Sequence, residues 1–191
     1  KTLILSHFEY LNALSRSFGA EYSIIIIMKI KNTWIEESSG LEATAEYEDV
    51  DSFTALPYEK CQQVACFAFY KNKLLLVHNG NTKSWGPAGG CIEKPETFED
   101  CARRELAEEA NVEMLSFKPI GYQKAYLPNE PKEYQLRVFC EVKPIGKFEK
   151  DPDGDITKIK YINPTEYRKY FDWGDIGERL IERAMELKEK L

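Results

Sequence analysis

The 191-residue sequence lacks the features of membrane proteins and secreted proteins. No apolar run approaches the roughly 18 to 20 residues that a membrane-spanning helix needs, and no signal-peptide pattern is visible. The five cysteines are an odd number, and their spacing matches neither a zinc site nor a secreted disulfide framework. These absences predict a cytoplasmic protein in a reducing environment, with no membrane partner.

Positive charge is also in the minority. The chain has 26 Lys and Arg against 32 Asp and Glu, which gives a formal net charge of -6. Proteins that bind long nucleic acids gain affinity from clustered basic side chains that neutralise phosphates. We therefore expect no long nucleic-acid partner. A small anionic ligand is compatible with the charge if a metal ion or a local basic group offsets the repulsion.

Histidine is nearly absent, because His7 and His78 are the only two in the chain. Neither fits a catalytic-triad or metal-ligand spacing, so acid–base and metal chemistry must rest on carboxylates. Apolar residues make up 43% of the chain and charged residues 30%, which is typical of a globular protein. The length allows one well-buried catalytic domain with an extension.

The first 60 residues differ in character from the remainder. Ser6–Gly19 has apolar residues at helical spacing and predicts a packing helix, whereas the isoleucine-rich Tyr22–Ile30 predicts a buried strand. Thr33–Lys60 is acidic and weakly periodic, which predicts a loop or an irregular hairpin. We interpret residues 1–60 as an N-terminal extension and residues 61–191 as the catalytic domain.

Strands and helices alternate in the second segment, which predicts a mixed α/β fold. A hairpin precedes a glycine-rich turn at Trp85–Gly90, and a helix is expected from near Pro95 to Asn111. The other expected elements are hairpin strands at Val64–Tyr70 and Leu74–Val77, strands at Phe117–Ala125, Tyr134–Val142 and Ile156–Ile162, and a closing helix at Asp175–Leu191.

Three carboxylates cluster on the helix predicted before Asn111. Glu105, Glu108 and Glu109 lie at i, i+3 and i+4, which places them on one surface patch. Each like-charge pair costs a helix on the order of 0.2 to 0.5 kcal/mol, so a cation is a physical reason to retain them. Such oxygen ligands suit Mg²⁺ or Mn²⁺. Taken alone, the cluster is more typical of a solvated helix face.

A wider spacing pattern favours a site over a solvated surface. Gly90 is followed after five residues by Glu96, and after seven more by Arg104–Val112, with the sequence RELAEEANV. This pattern is similar to the Nudix box, the glycine-opened loop–helix–loop motif of the Nudix hydrolases. Asn111 stands where the family usually has glycine, and Asn is the next-best residue for a left-handed conformation. The strands from Gln62 to Tyr161 follow the family order more loosely.

The resemblance implies a Nudix-like α/β/α sandwich with a mixed β-sheet, preceded here by a helix–strand extension. It implies hydrolysis of a pyrophosphate bond in a small nucleotide-derived substrate with Mg²⁺ or Mn²⁺ as cofactor. It also implies that Glu105, Glu108, Glu109 and the carbonyl of Gly89 bind the metal, while Arg104 orients Glu105 through charge-assisted hydrogen bonds.

The base that activates water in this family can be a box glutamate or an acid on a loop outside the box. In this sequence that loop offers Glu149, Asp151, Asp153 and Asp155. We favour Asp155 because it directly precedes a predicted strand that can hold it rigidly. Asp155 is also an ordinary turn residue within Asp-Pro-Asp-Gly-Asp, so both interpretations remain open.

The substrate is less well defined than the reaction. A nucleoside diphosphate linked to another moiety, such as ADP-ribose or a nucleotide sugar, is favoured, and Pro128 is a weak indication of the ADP-ribose type. Cleansing of nucleoside triphosphates is the alternative within the enzyme class. A non-catalytic nucleotide-sensing domain is the alternative of another class, although the complete set of box acids favours catalysis.

The apolar surfaces predicted for the extension must be covered. They pack either on the sheet of their own chain or across a two-fold axis. The sequence therefore predicts a possible homodimer. Trp34 of the extension and Trp85 beside the glycine turn are two aromatic side chains that a pocket in this region can include.

Overall fold

The computed structural model describes residues 28–36 and 39–190. The helix predicted at Ser6–Gly19 lies outside the described residues, as does most of the strand predicted at Tyr22–Ile30. The strands are β1 (Lys29–Ile35), β2 (Glu42–Asp49), β3 (Cys61–Tyr70), β4 (Lys73–Asn79), β5 (Ser84–Gly86), β6 (Ala88–Cys91), β7 (Val112–Tyr126), β8 (Tyr134–Pro144) and β9 (Ile156–Ile162). The helices are α1 (Phe98–Ala110) and α2 (Gly174–Glu189), with short 3-10 turns at Tyr58–Lys60 and Pro164–Lys169.

The described strands form one mixed sheet in the order β1-β2-β7-β8-β3-β4-β5. Strand β6 pairs with β3 and strand β9 pairs with β4. The β3–β8 pair is parallel, whereas the other pairs are antiparallel. Strand β3 changes partner along its length, from β6 near its start to β4 at its end. This change brings the short glycine-containing β6 beside the middle of the sheet.

Side chains that alternate along the strands build a separate core on each face of the sheet. On β3, Val64 and Cys66 belong to the core that includes Leu106 of α1. Phe67 of the same strand belongs to the core that includes Leu180 of α2. The sheet is therefore enclosed between two helices, which confirms the α/β/α sandwich. None of the described helices is long and apolar enough to cross a membrane.

Helix α1 begins later than the sequence pattern predicted. Thr97 is its N-cap, and its hydroxyl accepts a hydrogen bond from the backbone N–H of Asp100 while the Asp100 carboxylate accepts one from Thr97. This capping box satisfies two otherwise unpaired groups at the helix start. Pro95 therefore lies in the preceding loop and does not occupy the first helical turn, because the Thr97 cap sets the boundary.

Asn111 ends α1 in the left-handed conformation, with φ of 53°. The predicted left-handed end of this helix is confirmed. Its backbone N–H donates to the Ala107 carbonyl, and its side-chain amide donates to the Lys147 carbonyl at 3.0 Å. An asparagine can thus occupy the usual glycine position because it tolerates the backbone angle and gains a side-chain hydrogen bond.

The described part of the extension joins the sheet of its own chain. Strands β1 and β2 form a regular antiparallel hairpin, and β2 then pairs with β7 from Thr44 to Asp49. The sequence predicts a loop or an irregular hairpin at Thr33–Lys60. The structure instead has the end of β1 and all of β2 in this segment, with a 3-10 turn at its end. The sequence of β2 shows only a weak apolar alternation. The residues that face the interior, Ala43, Ala45 and Tyr47, are separated by polar residues. A domain boundary at residue 60 remains a prediction of the sequence.

Candidate active site

Helix α1 presents its carboxylates toward the turn at β6. Ala102, Leu106 and Ala110 form a fully buried stripe that docks the helix on the sheet. The three residues recur every four positions, as a helix buried along one face requires. The adjacent face carries the glutamates, of which Glu105 and Glu109 are held against the protein, whereas the Glu108 side chain is 41% exposed. Of the three glutamates, Glu105 exposes the smallest fraction of its surface to solvent.

Arg104 connects the acidic residues of the motif. Its Nη1 donates to Glu105 at 2.8 Å and to Glu108 at 3.2 Å. Its Nη2 and Nε donate to the two oxygens of Glu96 at 2.9 Å and 3.2 Å, and Nη2 also donates to the Cys91 carbonyl. A planar guanidinium suits this multiple recognition, which a lysine cannot reproduce. Arg104 lies where the sequence placed it, beside Glu105.

The two glycines of β6 allow the helix carboxylates to approach the backbone closely. A Cβ on Gly90 would lie 2.2 Å from Oε1 of Glu105, and a Cβ on Gly89 would lie 2.1 Å from the Val64 carbonyl oxygen. The Gly89 N–H donates to Oε2 of Glu109 at 2.7 Å. Gly89 also has φ of 150°, which L-residues rarely adopt. A side chain at Gly89 would collide with the backbone of β3, and one at Gly90 would displace the Glu105 carboxylate.

Negative charge in this cluster is incompletely neutralised. Burial, opposed by the Gly89 hydrogen bond and reinforced by Glu105, Asp151 and Glu108, raises the pKa of Glu109 to about 8. Burial likewise raises the pKa of Glu105, even though Arg104 counteracts this rise. Carboxylates that remain costly to ionise beside one another are a suitable binding place for a cation.

The donor set has the chemistry that a divalent cation requires, but its carboxylates are held by protein partners. Within the described part of the chain, no three acidic, thiol or imidazole groups already converge in a ligand arrangement. The reason is that Glu105 and Glu108 are turned to Arg104, while Glu109 is turned to the Gly89 amide. Carboxylate and carbonyl oxygens are the ligands that Mg²⁺ and Mn²⁺ prefer, so the chemistry of the residues suits these ions.

The raised pKa of Glu109 leads to a test with metal-free protein. A carboxyl group whose folded-state pKa exceeds its unfolded value stabilises the fold below the unfolded pKa, and this contribution is lost as pH rises. The free energy of unfolding should therefore fall between pH 4.5 and about 8, by up to roughly 5 kcal/mol. Urea unfolding in EDTA at several pH values measures it.

Glu109→Gln should remove most of this pH dependence, because glutamine keeps the shape and can still accept the Gly89 N–H. The matched control is Glu99→Gln, which changes an exposed carboxylate on the same helix. That variant should keep the parental pH dependence. Identical pH profiles for the parent and Glu109→Gln would contradict the assignment of a buried, charge-strained Glu109.

Asp155 lies at the end of the loop between β8 and β9, where it contacts the turn at Gly80 and Asn81. Its carboxylate accepts a hydrogen bond from the Asn81 side chain at 2.7 Å, and its carbonyl accepts one from the Gly80 N–H. Asp155 is exposed. Its role as a base remains a prediction of the sequence.

Asp151 is the acid of this loop whose charge acts on the glutamate cluster. It is buried, accepts hydrogen bonds from the backbone N–H groups of Asp155 and Ile156, and contributes to the raised pKa of Glu109. The sequence included Asp151 among the candidates but did not distinguish it from its neighbours. Burial of one acid in a turn depends on packing, which the Asp-Pro-Asp-Gly-Asp pattern does not reveal.

A groove adjoins the carboxylates. Glu109 and Trp85 line a cavity of about 400 Å³, and Trp34 and Arg137 line a larger cavity of about 820 Å³. Both cavities are lined by Gly89, together with Pro87, Asp172 and Trp173. The two spaces therefore meet at the turn that carries the candidate metal ligand. A volume of this size is typical of small-molecule sites.

Several lining residues were not singled out from the sequence. Arg137 and Gln135 lie on β8 and Gln123 lies on β7, while Trp173 precedes α2. They belong to no motif, and tertiary packing alone brings them together. The one available signal was a positive charge inside the otherwise apolar run of β8, Leu136–Val138.

Comparisons with known proteins agree with the motif. The NUDIX domain family matches residues 60–183. An uncharacterized Nudix hydrolase from Nostoc sp. (strain PCC 7120) is 30% identical over 92 residues, which cover 46% of this chain and 50% of that protein. The matched region thus spans about half the length of this curated relative.

Solved structures show the same fold at low sequence identity. The pyrophosphohydrolase BsRppH of Bacillus subtilis is 19% identical, with a TM-score of 0.57 over 83% of this chain and 97% of that chain. A NUDIX hydrolase from Nitrosomonas europaea is 21% identical, with a TM-score of 0.50 over 68% of this chain and 91% of that chain. With the domain match over most of its length and the glutamate helix facing its glycine turn, the chain belongs to the Nudix family.

Proposed function

We propose that this protein hydrolyses the pyrophosphate bond of a nucleoside diphosphate linked to another moiety, with Mg²⁺ or Mn²⁺ as cofactor. The observation that carries the proposal is the placement of three glutamates of α1 beside the turn where two cavities meet: Arg104 holds Glu105 and Glu108, and the Gly89 N–H donates to Glu109. A substrate that has a central diphosphate and a group on each side fits a groove with two lobes and a charged centre.

The proposed metal ligands are Glu105, Glu108, Glu109 and the carbonyl of Gly89. A bound divalent ion would neutralise diphosphate oxygens and make the attacking water more acidic. Arg104 positions Glu105 and Glu108 by holding one oxygen of each with the same nitrogen. Glu96 and the Cys91 carbonyl fix Arg104 in turn, so the guanidinium is held in place before substrate binds.

The proton of the attacking water needs an acceptor near the diphosphate. Glu109 is the box acid that lines the smaller cavity. Asp155 is the proposed alternative outside the box, and it would have to exchange its Asn81 hydrogen bond for one to water. Asp151 tunes Glu109 electrostatically from its buried position. Trp85 and Trp173 line the same cavity.

A substrate panel tests the proposal. Purified protein with Mg²⁺ is incubated with ADP-ribose, a nucleotide sugar and nucleoside triphosphates, and the products are identified by chromatography and mass spectrometry. We expect a nucleoside monophosphate and a phosphorylated second group from the linked diphosphates, and no turnover in EDTA. Turnover of triphosphates alone would favour nucleotide cleansing. Binding without turnover of any compound would favour a sensing domain.

The assembly and location also belong to the proposal. Strand β1 is at the end of the described sheet order, and Trp34 and Ile35 expose 45% and 63% of their surface. A second copy of the chain can cover this surface, which supports a homodimer that light scattering can test. The five cysteines are free thiols, which supports the cytoplasmic location inferred from the sequence.

A further inference from the structure

Arg137 is a buried cation that lacks an acidic partner among the described residues. It lies on β8 at the wall of the larger cavity and is only 4% exposed. Its Nε has no hydrogen-bond partner in the part of the chain that the structure describes. Burial lowers the pKa of Arg137 to about 10. An isolated buried charge is costly, so the fold retains it at a disadvantage to stability.

A second buried arginine in the same chain shows what a structural role requires. Arg179 is 8% exposed, and its guanidinium is bound by Asp49 at 2.6 Å and by Glu186 at 2.8 Å. Arg137 instead contacts amide oxygens, from Gln135 at 2.8 Å and Gln123 at 3.2 Å. The difference indicates that Arg137 keeps its positive charge available for a group that enters the cavity.

The two glutamine side chains make the cavity wall rich in hydrogen-bond donors. Their carbonyl oxygens are directed to Nη2 of Arg137, so their NH₂ groups are left to donate to a ligand. Lys31 lines the same cavity and adds positive charge. Asp172 also lines it, but its carboxylate is held by Arg168 and by the Gly174 N–H. The wall therefore favours a ligand group that accepts hydrogen bonds and carries negative charge.

The position of Arg137 relative to the candidate metal ligand suits one substrate that reaches both. Gly89 of β6 pairs with Ala65 of β3, and Ala65 pairs with Arg137 of β8. The three residues form one row across the sheet, so Arg137 lies two strand spacings from Gly89, or roughly 10 Å. All three line the larger cavity. A group bound at Arg137 would therefore belong to the part of the substrate beyond the hydrolysed bond.

We propose that Arg137, with Gln123 and Gln135, binds an anionic group, a phosphate or a carboxylate, on the moiety linked to the diphosphate. The preferred substrates are then diphosphates that carry a further negative charge, in contrast to those with a neutral sugar. This inference rests on the proposed function and specifies its substrate class. Trp173, whose ring lies 5.7 Å from the guanidinium, forms the adjacent apolar wall.

Matched substrates that differ in one anionic group test the proposal. ADP-ribose and its derivative phosphorylated on the linked ribose differ by a phosphate, whereas UDP-glucuronate and UDP-glucose differ by a carboxylate, so the two pairs distinguish the sources of charge. For at least one pair, kcat/KM of the charged member should exceed that of the neutral member about ten- to a hundredfold, as expected for hydrogen bonds to a charged group. Affinities for the same pairs are measured by calorimetry.

Arg137→Met keeps most of the side-chain volume and removes the charge. It should reduce the preference for the charged member to near one, and it should raise the melting temperature because a buried unpaired charge is removed. Lys143→Met is the matched control, since Lys143 is an exposed cation on the same strand. That variant should retain the parental preference and melting temperature.

The outcomes separate this inference from the proposed function. Hydrolysis of both members at equal kcat/KM, with equal affinities, would overturn the role of Arg137 and leave the proposed function intact. Lack of turnover for all compounds would contradict the proposed function, while a charged-member affinity that Arg137→Met abolishes would still support the anion site. A lower melting temperature for Arg137→Met, with the preference unchanged, would assign Arg137 a structural role and overturn the proposal.

Discussion

Glu105→Gln is expected to lower kcat at least about a hundredfold while the protein remains folded. Glutamine retains the shape of the side chain and can still accept a hydrogen bond from Arg104, so the helix keeps its position. The change removes one negative charge from the proposed metal ligands. Burial raises the pKa of Glu105, which means that the charged carboxylate is costly in the folded protein. Replacing it with a neutral amide should therefore leave the melting temperature equal or slightly higher.

The control for this experiment is Glu99→Gln on the same helix. The Glu99 side chain is 53% exposed and pairs with Arg103 on the surface, so its removal should affect neither kcat nor the melting temperature appreciably. Steady-state kinetics over a range of Mg²⁺ concentrations and thermal melts give both readouts. Parental kcat for a folded Glu105→Gln protein on every accepted substrate would refute the assignment of the box glutamates.

The second large effect concerns the fold. Asp49→Ala is expected to destabilise the protein by about 3 to 5 kcal/mol, because it leaves the buried Arg179 without its main partner. Asp49 ends β2, and its Oδ2 accepts hydrogen bonds from Arg179 of α2 at 2.6 Å and 3.0 Å. For a domain of this size, the melting temperature should fall by roughly 10 °C. Denaturant unfolding measures the difference in free energy.

Two further variants identify the cause of that loss. Asp51→Ala removes the neighbouring acid, whose side chain is 63% exposed and pairs with Arg183, so the expected loss is below about 1 kcal/mol. The double variant Asp49→Leu with Arg179→Met should recover most of the stability, since it removes both buried charges. Equal losses for Asp49→Ala and Asp51→Ala would show that the buried pair does not hold β2 against α2.

The candidate site was predictable because its signals are local. Helix α1 follows from a capping box, an apolar stripe and a left-handed asparagine within 15 residues, Thr97–Asn111. A helix places side chains at i, i+3 and i+4 together whatever it packs against, so the glutamates and Arg104 converge from spacing alone. Strands β3, β4, β7, β8 and β9 were also predicted, because their apolar residues are clustered between turn residues. Strands β5 and β6 were not, since most of their residues fall in the segment predicted as a glycine-rich turn.

The hairpin of β1 and β2 was only partly visible to the same reasoning. Its interior face is built from alanine and tyrosine, and glutamates alternate with them, so no strong apolar pattern results. The hairpin is stabilised by its pairing with β7, which lies some 75 residues further along the chain, and by the buried ion pair with α2. Interactions at such separation leave no periodic pattern in the local sequence.

The sequence by itself therefore determined the family, the glutamate helix and most of the strands after Lys60, since each depends on short-range geometry. Tertiary structure alone decided that β2 joins the sheet, that Asp151 rather than Asp155 is buried near Glu109, and that Arg137 lies unpaired in the cavity wall. The physical reason is that burial and charge pairing depend on which distant segments meet, and spacing along the chain does not encode this directly.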